Sequence, residues 1–393
     1  MGFWRNLLGS AILSGSLLLP SAANAQQIRK PRIEREIKID FADPEENFEA
    51  NSNLWYSLDQ VIGKETEVLY KNWRENFGKR LLGLAINGEL IYINDFVSHE
   101  DAHNREMKRY GDATAKFEFN SLLELNKNVI RYKKYESTLE QHLSAVVAGL
   151  NQNEHNSYMT FKNNLDTLSV HDSVSFFMNK AYDLFYIVTG PAGETGGDPE
   201  NYINFLNEQD ISLTKKDYFV QAWLADLFSV QTADSLETIH HYLADGQLTK
   251  KPTRMYFGNI AVTPPLINHY LTTKGSFYNI TSIVGATGKT SAELSFATPI
   301  NFLGGGEVGN YRAGLQINNL RALGLKLSPS YHFDTNLSGQ QTGYSAGLQI
   351  NKSLRKNVDL RVKAEYNKDD LLENIVKGED NGWNFVVGVD VRF

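Results

Sequence analysis

The sequence predicts an α+β protein in which a helical N-terminal region precedes an antiparallel β-meander. Apolar residues recur at intervals of three and four from Leu54 to Leu248, as they do on helices that bury one face. After Lys251 apolar and polar residues alternate with period two, which is typical of strands. Turn sequences such as 304–306, three glycines, separate these alternating segments. We therefore expect successive antiparallel strands in the last third of the chain.

The first 25 residues have the pattern of a secretory signal peptide. Arg5 precedes an apolar run from Leu7 to Leu19, and residues 23–25, Ala-Asn-Ala, supply a cleavage site with small residues. The run is shorter than the roughly 20 apolar residues that a membrane-spanning helix needs. We expect an exported chain whose mature form begins near Gln26.

Composition narrows the class of protein further. The 393 residues include no cysteine, which argues against a disulfide scaffold and against a thiolate metal site. A net charge of -7, without a basic run interleaved with aromatic residues, argues against a nucleic-acid partner. The predicted organisation is a signal peptide at 1–25, a charged linker or arm at 26–53, a helical domain at 54–250 and a β domain at 251–393.

The β domain contains seven alternating segments, or eight if "RMYFGNIAV" at 254–262 is included. An even-numbered antiparallel sheet can close and remove its edges, so we expect an eight-stranded or similar barrel. The last segment ends in Phe393 and resembles the C-terminal strand of bacterial outer-membrane barrel proteins, which characteristically ends in phenylalanine. This resemblance implies an outer-membrane location with the helical domain in the periplasm. A soluble sheet domain remains the alternative, because alternation alone does not tell which face is outside.

Residues 99–103 read His-Glu-Asp-Ala-His, which is an H-E-x-x-H motif. On a helix, His99 and His103 project from one face and are close enough to share a metal ion. Glu100 lies about 100° around the helix axis from His99 and is free to take a proton from water. The alternative is a solvated, charged helix face, but the preceding segment at 81–97 is largely apolar.

The motif resembles the active-site helix of the zincin metallopeptidases, and the absence of a longer histidine extension points to the gluzincin branch. The resemblance implies Zn²⁺ as cofactor, His99 and His103 as ligands, Glu100 as general base and a peptide or protein as substrate. Asp101 departs from the family, which usually keeps the two intervening positions uncharged.

The third ligand is not fixed by any motif. We favour Glu154, since Gly149 and small residues before it would let a second helix approach the first closely. The other candidates are Glu118, Glu124, Glu140, His142 and His155. Two further features are weaker: the loop "GETGGDPENY", in which Glu194 and Asp198 could touch a cation, and Tyr110 as an oxyanion donor.

The sequence therefore predicts a zinc-dependent hydrolase, most simply a peptidase, that faces the periplasm and is held at the outer membrane by its own strands. The alternative from another class is a non-enzymatic outer-membrane protein that binds a partner or plugs a channel, with histidines that serve only the fold.

Overall fold

The computed structural model describes residues 35–41, 48–110, 116–118, 129–131, 138–189, 197–258, 260–285, 290–300, 310–336, 338, 340–369 and 381–392. The predicted signal peptide lies outside this part of the chain. Within it, seven helices precede all but the first strand of a large antiparallel sheet, so the α+β class and the order of its two halves are confirmed.

The helices are α1 (Phe48–Trp73), α2 (Phe77–Arg109), α3 (Leu139–Asn163), α4 (Val170–Thr189), α5 (Asp198–Glu208), α6 (Lys215–Leu227) and α7 (Val230–Asp245). Side-chain caps define where several of them begin. Asn76 accepts a hydrogen bond from the Lys79 amide at the start of α2, and Thr138 and Gln141 form a reciprocal capping box at the start of α3. None of these helices is long and apolar enough to cross a bilayer.

The strands are β1 (Glu36–Asp40), β2 (Lys116–Glu118), β3 (Val129–Arg131), β4 (Leu168–Ser169), β5 (Thr249–Lys250), β6 (Met255–Phe257), β7 (Ile260–Val262), β8 (Leu266–Thr272), β9 (Gly275–Val284), β10 (Ser291–Pro299), β11 (Asn310–Asn318), β12 (Leu320–Ala322), β13 (Leu325–Asn336), β14 (Gln341–Arg355), β15 (Val358–Lys368) and β16 (Gly382–Arg392). Twelve of them form one antiparallel sheet in the order β1-β16-β15-β14-β13-β11-β10-β9-β7-β6, with β12 paired to β13 and β8 to β9.

The predicted meander is confirmed, with differences at both ends. The seven alternating segments are β9, β10, β11, β13, β14, β15 and β16, and the optional eighth segment is the β6–β7 hairpin. Strand β8, which pairs with β9, is not among the predicted segments, and the segment expected to be a linker or a strand-like arm supplies β1, which pairs with β16. Helix α1 begins at Phe48, inside the segment predicted as arm. Within the described residues the sheet has twelve strands rather than eight, and its two edges do not pair.

An apolar core and side-chain hydrogen bonds hold the two halves together. Leu150 of α3, Leu206 of α5 and Leu271 of β8 are fully buried in one apolar cluster. At its edge, the Asn151 amide donates to the Leu271 carbonyl at 2.9 Å and accepts from the Leu271 amide at 2.8 Å. This two-way pairing satisfies backbone groups of an edge strand and fixes α3 against the sheet.

The two faces of the sheet differ sharply in polarity. On β15, Asp359, Arg361 and Glu365 are buried, whereas Val362 between them is exposed. The covered face borders a polar cavity of about 580 Å³, which residues of α1 and α3 also line. In it, Arg361 bonds Asp390 at 2.9 Å, and such pairing offsets the cost of burying charges.

Candidate metal centre

Three side chains converge at one point between α2, α3 and α5. The Nε2 atoms of His99 and His103 are 3.1 Å apart, and Oδ2 of Asp198 lies 2.8 Å from the first and 3.0 Å from the second. Among the described residues this is the group of histidine and acidic side chains whose geometry suits a metal ion. The two predicted histidines therefore share a site, and an aspartate joins them.

Helix α3 fixes the orientation of both imidazoles. Nδ1 of His103 lies 2.6 Å from the carbonyl oxygen of Ala145, and Nδ1 of His99 lies 3.0 Å from the amide oxygen of Asn153. Since these oxygens accept hydrogen bonds, each Nδ1 carries the proton in a neutral ring. Each Nε2 then presents its lone pair toward Asp198, which is the arrangement that metal-binding histidines usually have.

The close approach of α3 depends on Gly149, which lies one turn from both Ala145 and Asn153. A Cβ atom at position 149 would stand 2.6 Å from Nε2 of His103 and 2.6 Å from Nε2 of His99. No side chain fits there, so the small residue that the sequence analysis noted does allow the two helices to meet.

Asp198 reaches the histidines because it begins α5. Gly197 precedes it at the N-cap and Pro199 follows within the first turn, which is a common way to start a helix. Asp198 is one of the two residues of the loop "GETGGDPENY" that were expected to be able to touch a cation, whereas Glu154 was the favoured third ligand. Glu194, named with it, lies outside the described residues.

The charges at this point are strongly coupled. Burial lowers the pKa of His103, but the Asp198 carboxylate and its hydrogen bond outweigh this effect and raise the pKa to about 9. The same contacts hold the pKa of Asp198 well below its usual value despite burial. Two imidazole lone pairs and a carboxylate cannot face each other at 3 Å without a positive charge among them. Either a proton or a metal ion meets this requirement.

Glu100 lies beside this group and has a raised pKa. Burial is the largest cause, the charges of His103 and His99 oppose it, and the charge of Asp198 adds to it. A carboxylate with a raised pKa is a better proton acceptor near neutral pH, as the predicted role requires. Asp101, the departure from the zincin pattern, accepts hydrogen bonds from Asn51 and Trp55.

Two tyrosines that the sequence analysis missed line the site. The ring of Tyr182 lies 4.9 Å from the His99 ring, and that of Tyr186 lies 5.8 Å from it. The Asp198 charge, followed by burial, raises the pKa of Tyr186 far above its usual value, so its phenol keeps its proton. The predicted oxyanion donor, Tyr110, instead donates to Ser144 at 3.3 Å. The signal in the sequence that could have identified Tyr182 and Tyr186 is their spacing of one helical turn on α4.

The structure does not bring Glu154 to the histidines. Its Oε2 atom accepts hydrogen bonds from Lys180 and from the Asn268 side chain, both at 2.7 Å. Because Lys180 is fully buried, its ammonium group needs this carboxylate close by. Asn153 faces the site. Glu154 is the next residue of α3, so its side chain points about 100° around the helix axis from that of Asn153 and away from the site. Asp198 therefore occupies the place that was predicted for Glu154.

The other candidates for a third ligand do not join the group either. The His142 ring packs against Phe205 at 4.9 Å, and the His155 ring packs against Phe48 at 4.9 Å. Glu124 and the side chains of Glu118 and Glu140 lie outside the described part of the chain.

Both histidines are almost completely buried, at 0% and 6% exposure, which does not fit the alternative of a solvated helix face. Asp198 is more open, with 17% of its side chain exposed.

Comparisons with known proteins add no assignment. No protein-family model matches the chain, and no curated protein sequence matches it.

Proposed function

We propose that the protein is a zinc-dependent hydrolase, most simply a peptidase. The observation that carries this proposal is the convergence of two Nε2 atoms and one carboxylate oxygen within 3.1 Å, with both Nδ1 atoms already committed to α3. Two imidazoles and one carboxylate are a common ligand set of catalytic zinc, which keeps a fourth position open for water or substrate.

The residues of the chain suit hydrolysis. A zinc ion at this point would supply Lewis acidity and lower the pKa of water to about 7. Glu100 accepts the proton of the attacking water and passes it to the leaving amine. The Tyr186 phenol, which stays protonated, donates a hydrogen bond to the carbonyl oxygen as negative charge develops on it. The backbone of Asp198 forms a hydrogen bond with this phenol group and helps to orient it.

One observation favours the alternative of a non-enzymatic protein with structural histidines. Because the pKa of His103 is about 9 without metal, an imidazolium at that position would supply the positive charge that the group needs. Metal content separates the two proposals.

The test is metal analysis of the full chain purified without chelator, together with hydrolysis of a mixture of casein peptides. We expect about one zinc per chain, loss of that zinc in a His99→Ala/His103→Ala double variant, and no loss in the matched pair His240→Ala/His241→Ala. Glu100→Gln should keep the zinc and lose the chelator-sensitive hydrolysis. Protein that carries no metal and does not take up added zinc would favour the structural alternative.

We also propose that the sheet lies in the outer membrane and that its edges pair to close a barrel, with the helical domain in the periplasm. The support is the inverted polarity of the strands: ion pairs fill the covered face, and large apolar side chains occupy the exposed one. The exposed apolar residues on β10 to β16 include Leu294, Phe296, Leu315, Tyr331, Phe333, Leu348, Val362, Trp383, Phe385 and Val387.

Aromatic side chains on this exposed face form a row across neighbouring strands. Tyr344 contacts Tyr366, and Tyr366 contacts Trp383, at ring distances of 5.9 and 5.4 Å. Such rows mark the membrane–water interface in outer-membrane proteins. Fractionation of cells on a density gradient tests the location: we expect the protein with the outer membrane, and recovery from the soluble periplasmic fraction would contradict the proposal.

A further inference from the structure

The turn between α1 and α2 exposes large apolar side chains that the metal centre and the sheet do not use. Phe77 is 58% exposed and Leu82 is 52% exposed, and Leu81 between them is also exposed. We call residues 71–82 the α1–α2 tip. The same helix does have an inward side, since Gly83 packs against Tyr70. The outward residues therefore form an apolar surface that is separate from this inward side.

This surface continues along both helices. On α2, Leu82, Ile86 and Leu90 are exposed at four-residue spacing, which places them on one face. On α1, Val61 and Val68 are exposed at seven-residue spacing. A helix hairpin in a soluble protein usually presents charged residues on such a face, whereas this one presents a row of aliphatic side chains.

Basic residues flank the apolar ones at the tip. The stretch 71–82 contains Lys71, Arg74, Lys79 and Arg80 against one acidic residue, Glu75, which gives 4 - 1 = +3 in a chain of net charge -7. Lys71 is 58% exposed and lies 3.7 Å from the Glu67 carboxylate, which is largely buried, and Lys79 is exposed as well. Apolar side chains surrounded by lysine and arginine are complementary to a surface with an apolar interior and negatively charged headgroups.

We propose that the α1–α2 tip inserts into the headgroup region of an anionic lipid bilayer. The inference rests on the membrane association proposed above, to which it adds a contact made by the helical domain. Phe77, Leu81 and Leu82 enter the interface, and Lys71 and Lys79 contact the lipid phosphates. The orientation of the metal centre relative to the membrane is then fixed at two places instead of one.

The chain has no cysteine, so one introduced thiol reports on one position. Three single-cysteine variants of the full chain carry an environment-sensitive fluorophore: Leu82→Cys at the tip, Lys216→Cys on an exposed part of α6, and Val387→Cys on the exposed face of the sheet. Each is reconstituted into vesicles of phosphatidylcholine alone and of phosphatidylcholine with one quarter phosphatidylglycerol. Iodide quenching then measures how far the label is shielded from water.

We expect iodide quenching at position 82 to be about threefold weaker in the anionic vesicles than in neutral ones, as for interfacial helices that need both apolar and charged contacts. Lys71→Glu/Lys79→Glu should abolish this protection, since both ammonium groups are exposed. The label at position 216 should remain accessible in both lipids.

A water-accessible label at position 82 beside a protected label at position 387 would overturn the tip proposal and leave the membrane-embedded sheet intact. Accessible labels at both positions would overturn the tip proposal and the proposal that the sheet is embedded in the membrane. Protection at position 82 that is equal in neutral vesicles, or that rises with protein concentration, would also overturn the proposal, because it indicates another segment of the chain or a second copy as the occupant.

Discussion

Gly149 lies directly against the imidazole of His103, and a Cβ atom on it would stand 2.6 Å from Nε2. That distance is far below a van der Waals contact, so Gly149→Ala must push α3 away from α2 or turn the rings. We expect the zinc affinity to fall by about 10- to 100-fold, as it does when groups that orient metal ligands are altered. Zinc titration with a competing chelator measures it.

The matched control is Gly88→Ala on α2, where a Cβ atom would meet no other atom within 4 Å. It makes the same change in a helix and improves helix propensity equally. Unchanged affinity in Gly149→Ala, with a fold as stable as that of Gly88→Ala, would mean that the two rings do not hold the ion together.

Asp198, and not the favoured Glu154, lies against the two histidines, and conservative variants separate the roles of these two carboxylates. Asp198→Asn should abolish zinc binding and leave the fold intact, because it removes one ligand charge at a partly open position. Glu154→Gln should keep the zinc and lower the free energy of unfolding by about 1 to 3 kcal/mol, since it removes the closest counter-charge of the buried Lys180 ammonium group and leaves Asp226 at 3.3 Å.

Metal analysis and urea unfolding of the two variants give the answer. The assignment is reversed if Glu154→Gln loses zinc at unchanged stability while Asp198→Asn retains it.

The histidine pair could be predicted from the sequence because one helical turn determines it. His99 and His103 lie on the same face whenever this segment is helical, whatever the helix packs against. The apolar segment before them indicated that the two side chains are buried. The approach of Asp198 depends on a contact between α5 and α2, because Asp198 and His103 are 95 residues apart in the chain. No local pattern encodes the way in which those two helices meet.

Glu154 shows why the sequence misled at this point. Gly149 correctly indicated close packing of α3 on α2, but the face of α3 that meets the histidines carries Ala145, Gly149 and Asn153. Glu154 follows on the next side of the helix, where a buried lysine from α4 pairs with it. The strands of the meander were easier to predict, because period-two alternation is local, whereas β8 (Leu266–Thr272) is buried on both faces and does not alternate.

The stability of the folded chain at acid pH depends on the ionisation of Asp172. Its carboxylate accepts a hydrogen bond from Arg35 at 3.1 Å; burial would raise its pKa, but the charges of Arg35 and His171 outweigh that effect and lower the pKa. The folded value therefore lies below the unfolded value of about 3.9. The stabilisation is complete above about pH 4 and is lost as the pH falls through the folded pKa.

We expect Asp172→Asn to unfold at a lower temperature than the unaltered chain at pH 7, and the difference between their melting temperatures to narrow at pH 3. Asp245→Asn is the control, because this side chain is 71% exposed, and it should show no difference at either pH. A difference for Asp172→Asn that stays constant from pH 7 to pH 3 would contradict the lowered pKa.

Leu315 and Gln316 are neighbours on β11 that face opposite sides of the sheet, and the same substitution at both tests the membrane proposal. Leu315 is 44% exposed on the apolar face, whereas Gln316 borders the polar cavity and pairs across the sheet with Glu293. In a bilayer, Leu315→Arg puts a guanidinium among lipid chains and should cost about 2 to 4 kcal/mol near the midplane. Gln316→Arg places the same group beside a carboxylate and should cost much less.

Urea unfolding of the two variants in lipid vesicles measures this difference. In water the order would be reversed, because an arginine in place of an exposed leucine changes stability by less than about 0.5 kcal/mol, whereas a larger side chain in the cavity crowds its neighbours. The sign of the difference between Leu315→Arg and Gln316→Arg therefore tells whether lipid or water covers the apolar face.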